Sequence, residues 1–305
     1  MKIYDLLILG SGPIAAATAY HLTESKKFDS IGIISQDPTD DHGATYTNAG
    51  GSIRWFWDDD LKTEMTTQTA NFIKDLLKKG VDLSEINDNY LFLHRGKFVP
   101  SLNVSGTKLV NWLLDQSVKQ GVKIYNKTKI TGVKNDKDYC VVNSNKQTFR
   151  AKKVLLALGV ANELFMPSYK LEKEMRQLFV LDVPVDDYSR DFPHVIFPLG
   201  KGVVYCFIKK MPEGLRYLVG QEDVVETPED LNSSTTFKHL LDAGLGKMMP
   251  FMKSAKVEKV LWGIDAGNKE LKIKSYKNRL FAANCGSAIR SSIWIGEQVA
   301  EKISN

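Results

Sequence analysis

The chain has 305 residues, 43% hydrophobic and 25% charged, which gives enough apolar side chains for a sizeable core and the charge of an ordinary globular protein. Its net charge of +5 comes from scattered lysines without a long basic run, which argues against nucleic acid as a partner. Its three cysteines (Cys140, Cys206 and Cys285) have no CxxC spacing, so neither a disulfide framework nor a zinc site is implied. The first apolar run, residues 6–9, is too short to span a bilayer and follows no basic leader, so we expect no integral membrane segment and a cytoplasmic protein.

The first predicted element is a strand, a glycine turn and a helix. Ile3–Leu9 is apolar and β-prone, as in a buried parallel strand, and helical sequence follows to about Thr23. The intervening GSGPIA has GxGxxA spacing. Its first glycine permits the tight turn, its second lets backbone approach a pyrophosphate, and its alanine allows close helix–strand packing. The sequence therefore predicts a dinucleotide site at the positive end of the helix, against the alternative of a tight turn without a ligand, formed by Gly10, Ser11, Gly12, Pro13, Ile14 and Ala15.

The second strand, Ile31–Ile34, ends without the acidic residue that usually accepts hydrogen bonds from a ribose in such units. Ser35 stands in its place and Gln36 follows, and both can bind ribose or adenine only as neutral groups. Asp37 lies one residue further on. No arginine or lysine in the segment could meet a 2′-phosphate, which argues against NADP.

The remaining pattern alternates helical and β segments. We predict helices at 61–79, 107–120, 236–252 and 288–303, and a hairpin at 90–99 that turns at Arg95-Gly96. Strands are predicted at 122–133, 152–159, 257–264 and 279–283, with a mostly β block from 175 to 220. This order predicts an α/β nucleotide-binding domain made of discontinuous segments, with an antiparallel sheet domain inserted between them.

Four further stretches complete a family pattern: HGATYTNAGGSIR (42–54), the helix, glycine and strands of 105–133, AKKVLLALG ending at Gly159, and RLFAANCGSAIRSSIWIGEQVAEKI (279–303). Their order and spacing resemble the flavoenzyme superfamily of D-amino-acid oxidase, glycine oxidase and sarcosine oxidase. The resemblance implies a Rossmann-like, glutathione-reductase-like FAD-binding domain (1–85, 105–165 and 255–305) and an antiparallel-sheet substrate domain (86–104 and 166–254). It also implies non-covalently bound FAD, and oxidation of a C–N bond in an amine, amino acid or related intermediate by hydride transfer to flavin N5, with O₂ or a quinone as acceptor.

The resemblance also assigns flavin contacts outside the glycine turn. In the last segment, backbone amides and the helix's positive end would stabilise negative charge at the N1–C2=O side of the reduced flavin. The implied contacts are Ala44, Thr45, Asn48, Ala49, Gly50, Gly51, Val133, Ala157, Gly159, Gly286, Ser287, Ala288 and Ile289. Cys285 invites a covalent-flavin interpretation, but we expect it to be a small buried residue.

Two arginines are the candidates for substrate binding. By resemblance, Arg54 and Arg290 lie by the flavin, where a guanidinium would match the two oxygens of a substrate carboxylate. A structural salt bridge is the alternative for Arg54. The "G-Arg-Pro" arginine of the amino-acid oxidases is absent, because Ile264 and Asp265 stand there. Asp265 could meet a cationic amine, although its residue preference favours a turn.

No single general base is required, because hydride transfer from an unprotonated amine depends on orientation and desolvation. His42, Tyr46, Tyr205 and Tyr217 are candidates for polar lining, with core or surface positions as the alternative. Two rival functions remain open: an FAD monooxygenase on the same scaffold, or a non-catalytic binding protein that kept the fold. The missing acid and arginine favour the non-catalytic alternative, whereas the intact GxGxxA and the glycine-rich second segment oppose it.

Overall fold

The computed structural model describes most of the chain. The described residues are 2–36, 51–55, 57, 59–83, 91–94, 97–171, 173–185, 194–199, 202–211, 213–221, 238, 240–266, 271–277, 279–286 and 288–305. In chain order, the strands are β1 (Ile3–Leu9), β2 (Ile31–Ile34), β3 (Ser52–Ile53), β4 (Leu91–His94), β5 (Lys97–Pro100), β6 (Leu102–Asn103), β7 (Lys123–Tyr125), β8 (Ile130–Asn135), β9 (Cys140–Ser144), β10 (Thr148–Leu156), β11 (Lys173–Pro184), β12 (His194–Leu199), β13 (Gly202–Met211), β14 (Gly214–Gln221), β15 (Val257–Ala266), β16 (Lys272–Tyr276) and β17 (Leu280–Asn284). The helices are α1 (Pro13–Ser25), α2 (Asp60–Lys78), α3 (Gly106–Lys119), α4 (Asn162–Phe165) and α5 (Ser292–Ser304).

The first sheet carries the parallel strands. Its order is β16-β17-β10-β1-β2-β7, and β9 and β8 extend it as an antiparallel meander that starts from β10. The pairs β2–β1, β1–β10, β10–β17 and β2–β7 are all parallel. The carboxyl ends of these strands therefore meet at one edge of the sheet, which is where ligands bind in open α/β folds.

Two hydrophobic cores cover the two faces of this sheet. Because side chains alternate along a strand, Leu6 and Ile8 of β1 pack under helices α1, α2, α3 and α5, whereas Leu7 and Leu9 pack under the meander and α4. The helices begin where the sequence supplies caps. The Asp59 side chain accepts the Lys62 N–H at 2.7 Å at the start of α2, and Ser105 caps α3 in the same way.

The second sheet has the order β15-β11-β14-β13-β12-β4-β5 and is antiparallel except at β12–β4. One face packs Phe179 and Ile208 against the helical turns between Leu240 and Met252. The other face carries Phe207 and Leu218. A two-stranded ribbon, β3–β6, lies against this sheet, because the Asn103 Nδ2 donates to the Ile208 carbonyl at 3.5 Å.

The predicted α/β class with a separate antiparallel sheet is confirmed, as is the hairpin of β4 and β5. Three details are wrong. The helix predicted over 236–252 is broken in its described part, since Gly244 has φ of 127° and a 3-10 turn follows at Pro250–Ser254. The last helix begins at Ser292 instead of Ala288. Asp265 lies within β15, paired with Glu174, and not in a turn. Strands β9 and β16 were not predicted; β16 is short and carries lysines. None of the described helices is long and apolar enough to cross a membrane.

Candidate functional site

The glycine turn lies at the carboxyl edge of the parallel strands. The Gly10 N–H donates to the Ile34 carbonyl at 2.9 Å, and Gly10 has φ of 106°. A Cβ at Gly10 would lie 2.4 Å from the Ala157 carbonyl oxygen, so only glycine fits between β1 and the end of β10. The predicted residues Gly10 and Ala157 are therefore neighbours.

Helix α1 presents its amino end at this turn. Gly12 is the N-cap, Pro13 is the first helical residue, and no side chain caps the helix within the described part of the chain. The first amides, at Ile14 and Ala15, have no intrahelical partners, as at any helix start. Uncapped amides at the positive end of a helix fit a pyrophosphate.

Ser35 points back to the glycine turn. Its side chain is buried, and its Oγ lies 2.7 Å from the Oγ of Ser11. Gln36 is exposed, and Asp37 is outside the described residues. Two neutral hydroxyls that can exchange donor and acceptor roles therefore lie at the end of β2, where the sequence predicts the ribose contact.

Val133 does not reach this edge. It pairs with Val142, which pairs with Phe149 near the start of β10, whereas the glycine turn adjoins the other end of β10. The segment before β8 comes closer, because the Thr128 N–H donates to the Ser35 carbonyl at 2.8 Å. The strand pairing thus does not bring the predicted cofactor contact Val133 to this edge, whereas Thr128 lies beside Ser35.

The predicted flavin stretch after β2 lies mostly outside the described residues, which exclude Ala44, Thr45, Asn48, Ala49 and Gly50. Gly51 is described and has φ of 65°. A Cβ there would lie 1.9 Å from the Val104 carbonyl oxygen, so the close approach of Gly51 to Val104 requires glycine for a structural reason.

The ends of β10 and β17 are joined by Asn162, which is fully buried. Its Oδ1 accepts the Leu158 N–H at 2.9 Å, and its Nδ2 donates to the Ala283 carbonyl at 3.1 Å. Gly159, with φ of 60°, begins the 3-10 turn between them and has open space beside it. This side-chain bridge was not predicted from the sequence, because it joins two strands that are far apart along the chain.

The turn before α5 holds Gly286, Ala288 and Ile289, while Ser287 is outside the described residues. These residues precede the helix instead of opening it, because α5 starts at Ser292. Beside them, Asn284 is 4% exposed, and its Nδ2 has no hydrogen-bond partner among the described groups. A buried amide donor of this kind fits a bound group that supplies an acceptor.

Arg54 and Arg290 come together around one indole. The Cζ of Arg54 lies 3.7 Å from the ring centroid of Trp57, and that of Arg290 lies 5.7 Å from it. Lys62 Nζ lies 3.7 Å from the same centroid. The indole is fixed by its Nε1, which donates to Thr66 Oγ1 at 3.1 Å. Two cations close in sequence to Trp57, Arg54 and Lys62, and one from the end of the chain, Arg290, thus surround the indole.

The second sheet contributes His194 to the same region. Its ring stacks on Phe207 with centroids 5.0 Å apart and lies 6.3 Å from Tyr205. Burial first, and then the charges of Arg290 and Arg54, lower the pKa of His194 well below its usual range. His194 is therefore a neutral imidazole. Neither it nor Trp57 was singled out from the sequence, because their role depends on contacts across the fold.

The two tyrosine candidates of the second sheet lie on opposite faces of it. Tyr205 lies on the His194 side of the second sheet, whereas Tyr217 packs on Phe251, with centroids 4.9 Å apart, in the core of the opposite face. Cys285 is buried, as expected, and the described residues hold no cluster of His, Cys, Asp or Glu that could bind a metal.

Comparisons with known proteins place these features in context. A sequence model described as FAD dependent oxidoreductase matches residues 85–302. Among solved structures, the chain is similar to L-proline dehydrogenase from P. horikoshii, with TM-score 0.76, 15% identity and coverage of 99% of this chain and 93% of that chain. It is also similar to glycine oxidase from Geobacillus kaustophilus (0.73, 16%, 99% and 95%) and to iminodiacetate oxidase from Chelativorans sp. BNC1 (0.72, 16%, 98% and 95%). At these identities the likeness concerns the fold. No curated protein sequence gave a significant match.

Proposed function

The chain belongs to the family of FAD-dependent oxidoreductases, and on that basis we propose that it oxidises a C–N bond of an amine, amino acid or related intermediate that carries a carboxylate. Glycine, proline and iminodiacetate, named for the similar structures, are all compounds of this class. FAD, when bound, supplies the hydride acceptor, and O₂ or a quinone is the proposed final acceptor.

FAD binding is proposed at the carboxyl edge of the first sheet. The uncapped start of α1 would receive the pyrophosphate, and the Ser11–Ser35 hydroxyls would meet the ribose. The buried Asn284 amide and the turn before α5 would meet the flavin. The buried cysteines agree with a non-covalent cofactor.

The gathering of Arg54, Lys62 and Arg290 around Trp57 carries the substrate proposal. All three side chains are cationic, so each would attract a carboxylate bound beside them. Guanidinium groups also offer paired donors that match the two carboxylate oxygens. His194 remains neutral beside them, so it can donate or accept one hydrogen bond without adding charge.

The aromatic side chains next to His194 have a complementary role. Phe207, which is buried, and Tyr205, which is half-buried, lie nearly parallel, with ring planes 16° apart, and line the His194 face of the second sheet with apolar rings. Such a surface excludes water from the substrate and strengthens the charge interactions beside it.

We propose a discontinuous FAD-binding domain built on the first sheet and a substrate domain built on the second. The second sheet includes β15, so the proposed boundary moves from residue 255 to after Ala266.

The test is Arg290→Met, which deletes the charge and keeps the apolar stem. Anaerobic bleaching of the flavin by amines and amino acids first identifies a substrate. The variant should then lose about 30-fold to several-thousand-fold in kcat/KM for a carboxylate substrate, which corresponds to about 2–5 kcal/mol. The kcat/KM of the variant for the matching amine without the carboxylate should change little, and the flavin content of the variant should be normal.

Arg279→Met is the matched control, because Arg279 contacts the carbonyls of Asp136 and Lys137 in a surface loop. Loss of FAD in Arg290→Met, or equal effects on both substrates, would assign Arg290 to the cofactor or to the structure. Bleaching that requires NADPH would support a monooxygenase instead.

A further inference from the structure

The meander side of the first sheet has an open cavity of about 320 Å³. Strand β8, the segment after α4, and β16 border it, and its walls include Phe165, Met166 and Leu280. This face lies across the sheet from α1, α3 and α5, since Met166 and Leu280 belong to the core under the meander. The cavity is therefore separate from the helical side of the molecule.

Lysines crowd the rim of this cavity. Lys134 and Lys274 line it, and the Lys274 Nζ donates to the Ser168 carbonyl at 2.8 Å. Exposed Lys170 and Lys277 adjoin them, because Lys272 contacts the Lys170 carbonyl and Lys277 Nζ lies 5.4 Å from the Tyr276 ring. None of these lysines forms an ion pair within the described part of the chain. Exposed Asp136 and Asp138, together with the half-buried Glu163 whose Oε1 accepts the Leu171 N–H, offset only part of this charge, so the rim is basic.

Two exposed apolar side chains adjoin the cavity. Leu164 is 75% exposed, the most exposed of the large hydrophobic residues described, and its neighbour Phe165 lines the cavity. Tyr276, another lining residue, is 51% exposed. We call the surface formed by Lys134, Leu164, Lys170, Tyr276 and Lys277, together with the cavity, the basic–apolar face.

We propose that the basic–apolar face binds the surface of an anionic lipid bilayer. Lysines attract anionic headgroups, a projecting leucine enters the boundary with the acyl chains, and an amphipathic tyrosine sits at headgroup level. A second copy of the chain would bring two basic faces together at a net charge of +5 each, which is repulsive. Nucleic acid would meet the lysines but leave Leu164 and the apolar cavity without a function.

The experiment measures co-sedimentation of the FAD-loaded protein with vesicles of phosphatidylcholine alone and of phosphatidylcholine mixed with phosphatidylglycerol. The wild type should bind the mixed vesicles and not the neutral ones. Lys134→Gln, Lys170→Gln and Lys277→Gln together should weaken binding about 100-fold, at about fivefold for each lysine. Leu164→Gln should weaken it about tenfold by removing the inserted side chain.

Controls come from the helical side of the molecule. Lys27→Gln with Lys119→Gln removes two exposed lysines there, and Leu61→Gln removes a leucine that is 45% exposed on α2; both should bind as the wild type does. Absence of binding to the mixed vesicles overturns the proposal. So does binding that is unchanged in Leu164→Gln and equally strong to a DNA duplex, because the surface would then be a general polyanion site. Substrate turnover in solution is a separate readout, so the enzyme proposal stands or falls independently.

Discussion

A single methyl group added at Gly296 is expected to disturb the packing that supports the proposed FAD site. Gly296 lies in α5 where it crosses α1. An ideal Cβ at this position would lie 2.5 Å from the Ala17 Cβ, 2.6 Å from the Ala17 carbonyl carbon and 2.9 Å from the Thr18 nitrogen. Two of these atoms are backbone, so no side-chain rotation relieves the overlap, and the helices must move apart.

The magnitude follows from two opposing effects. Overpacking of a tight contact costs about 1–3 kcal/mol, and backbone contacts place Gly296→Ala towards the upper end of that range. The replacement of glycine by alanine within a helix returns about 1 kcal/mol. We therefore expect Gly296→Ala to lower the free energy of unfolding by about 1–2 kcal/mol.

Urea denaturation followed by far-UV circular dichroism measures this change, with FAD removed so that binding does not contribute. Glu301→Ala is the control, because Glu301 is exposed on the same helix and gains alanine's propensity without the overlap. A Gly296→Ala protein that is as stable as the wild type, or more stable, would refute the packing argument. FAD affinity should fall in parallel, since the crossing fixes the start of α1 relative to the turn before α5.

Three other predictions concern the site. Gly12→Val should lose bound flavin but keep the fold, because Gly12 has φ of −73°, which valine tolerates. Gly10→Ala, in contrast, should destabilise the fold, because the added Cβ would overlap the Ala157 carbonyl oxygen. A Gly12→Val protein that purifies with full flavin content would show that the phosphate site lies elsewhere. Ser35→Glu buries a carboxylate, so the apoprotein should lose about 1–3 kcal/mol of stability. FAD affinity should be preserved or raised, because the new acid can accept a hydrogen bond from the ribose. Selective loss of FAD would contradict the assignment of Ser35 to the ribose. His194 binds protons more readily unfolded than folded, so its contribution to stability is present above the usual pKa of 6.5 and is lost as pH falls below it. His194→Gln should flatten the fall in urea stability between pH 7 and pH 5, and an unchanged pH profile would show that His194 is not responsible.

The local sequence was sufficient to predict the glycine turn. The GxGxxA spacing lies within the turn and the start of α1, so it can be recognised locally, although the contact that excludes a Cβ at Gly10 comes from Ala157 at the end of β10. The hairpin of β4 and β5 was also predicted from a short local pattern, residues 90–99. The start of α5 was predicted four residues early, because residues 288–291 have helix-compatible side chains and form turns instead.

The substrate region could be predicted only in part. Resemblance pointed to Arg54 and Arg290, but nothing in the sequence indicated that Arg290 would join Arg54 at Trp57. Arg54 is three residues from that indole and its carbonyl accepts the indole N–H, whereas Arg290 comes from the far end of the chain. His194 is similar: an isolated histidine at the start of a strand gains its lowered pKa only from burial and from two arginines distant in sequence. Such effects require tertiary contacts.

The order of strands in the first sheet has a consequence for biosynthesis. β10 lies between β1 and β17, so the layer that carries the glycine turn joins segments separated by more than half of the chain. A ribosome releases β1 and α1 early, but it synthesises the whole second sheet before β17 and α5 emerge. Contacts that close such long loops form slowly, and until they form the apolar α1 has no α5 to pack against. We expect nascent chains that end before β17 to need chaperone protection. Tight FAD binding should appear only in longer chains from which α5 has left the exit tunnel.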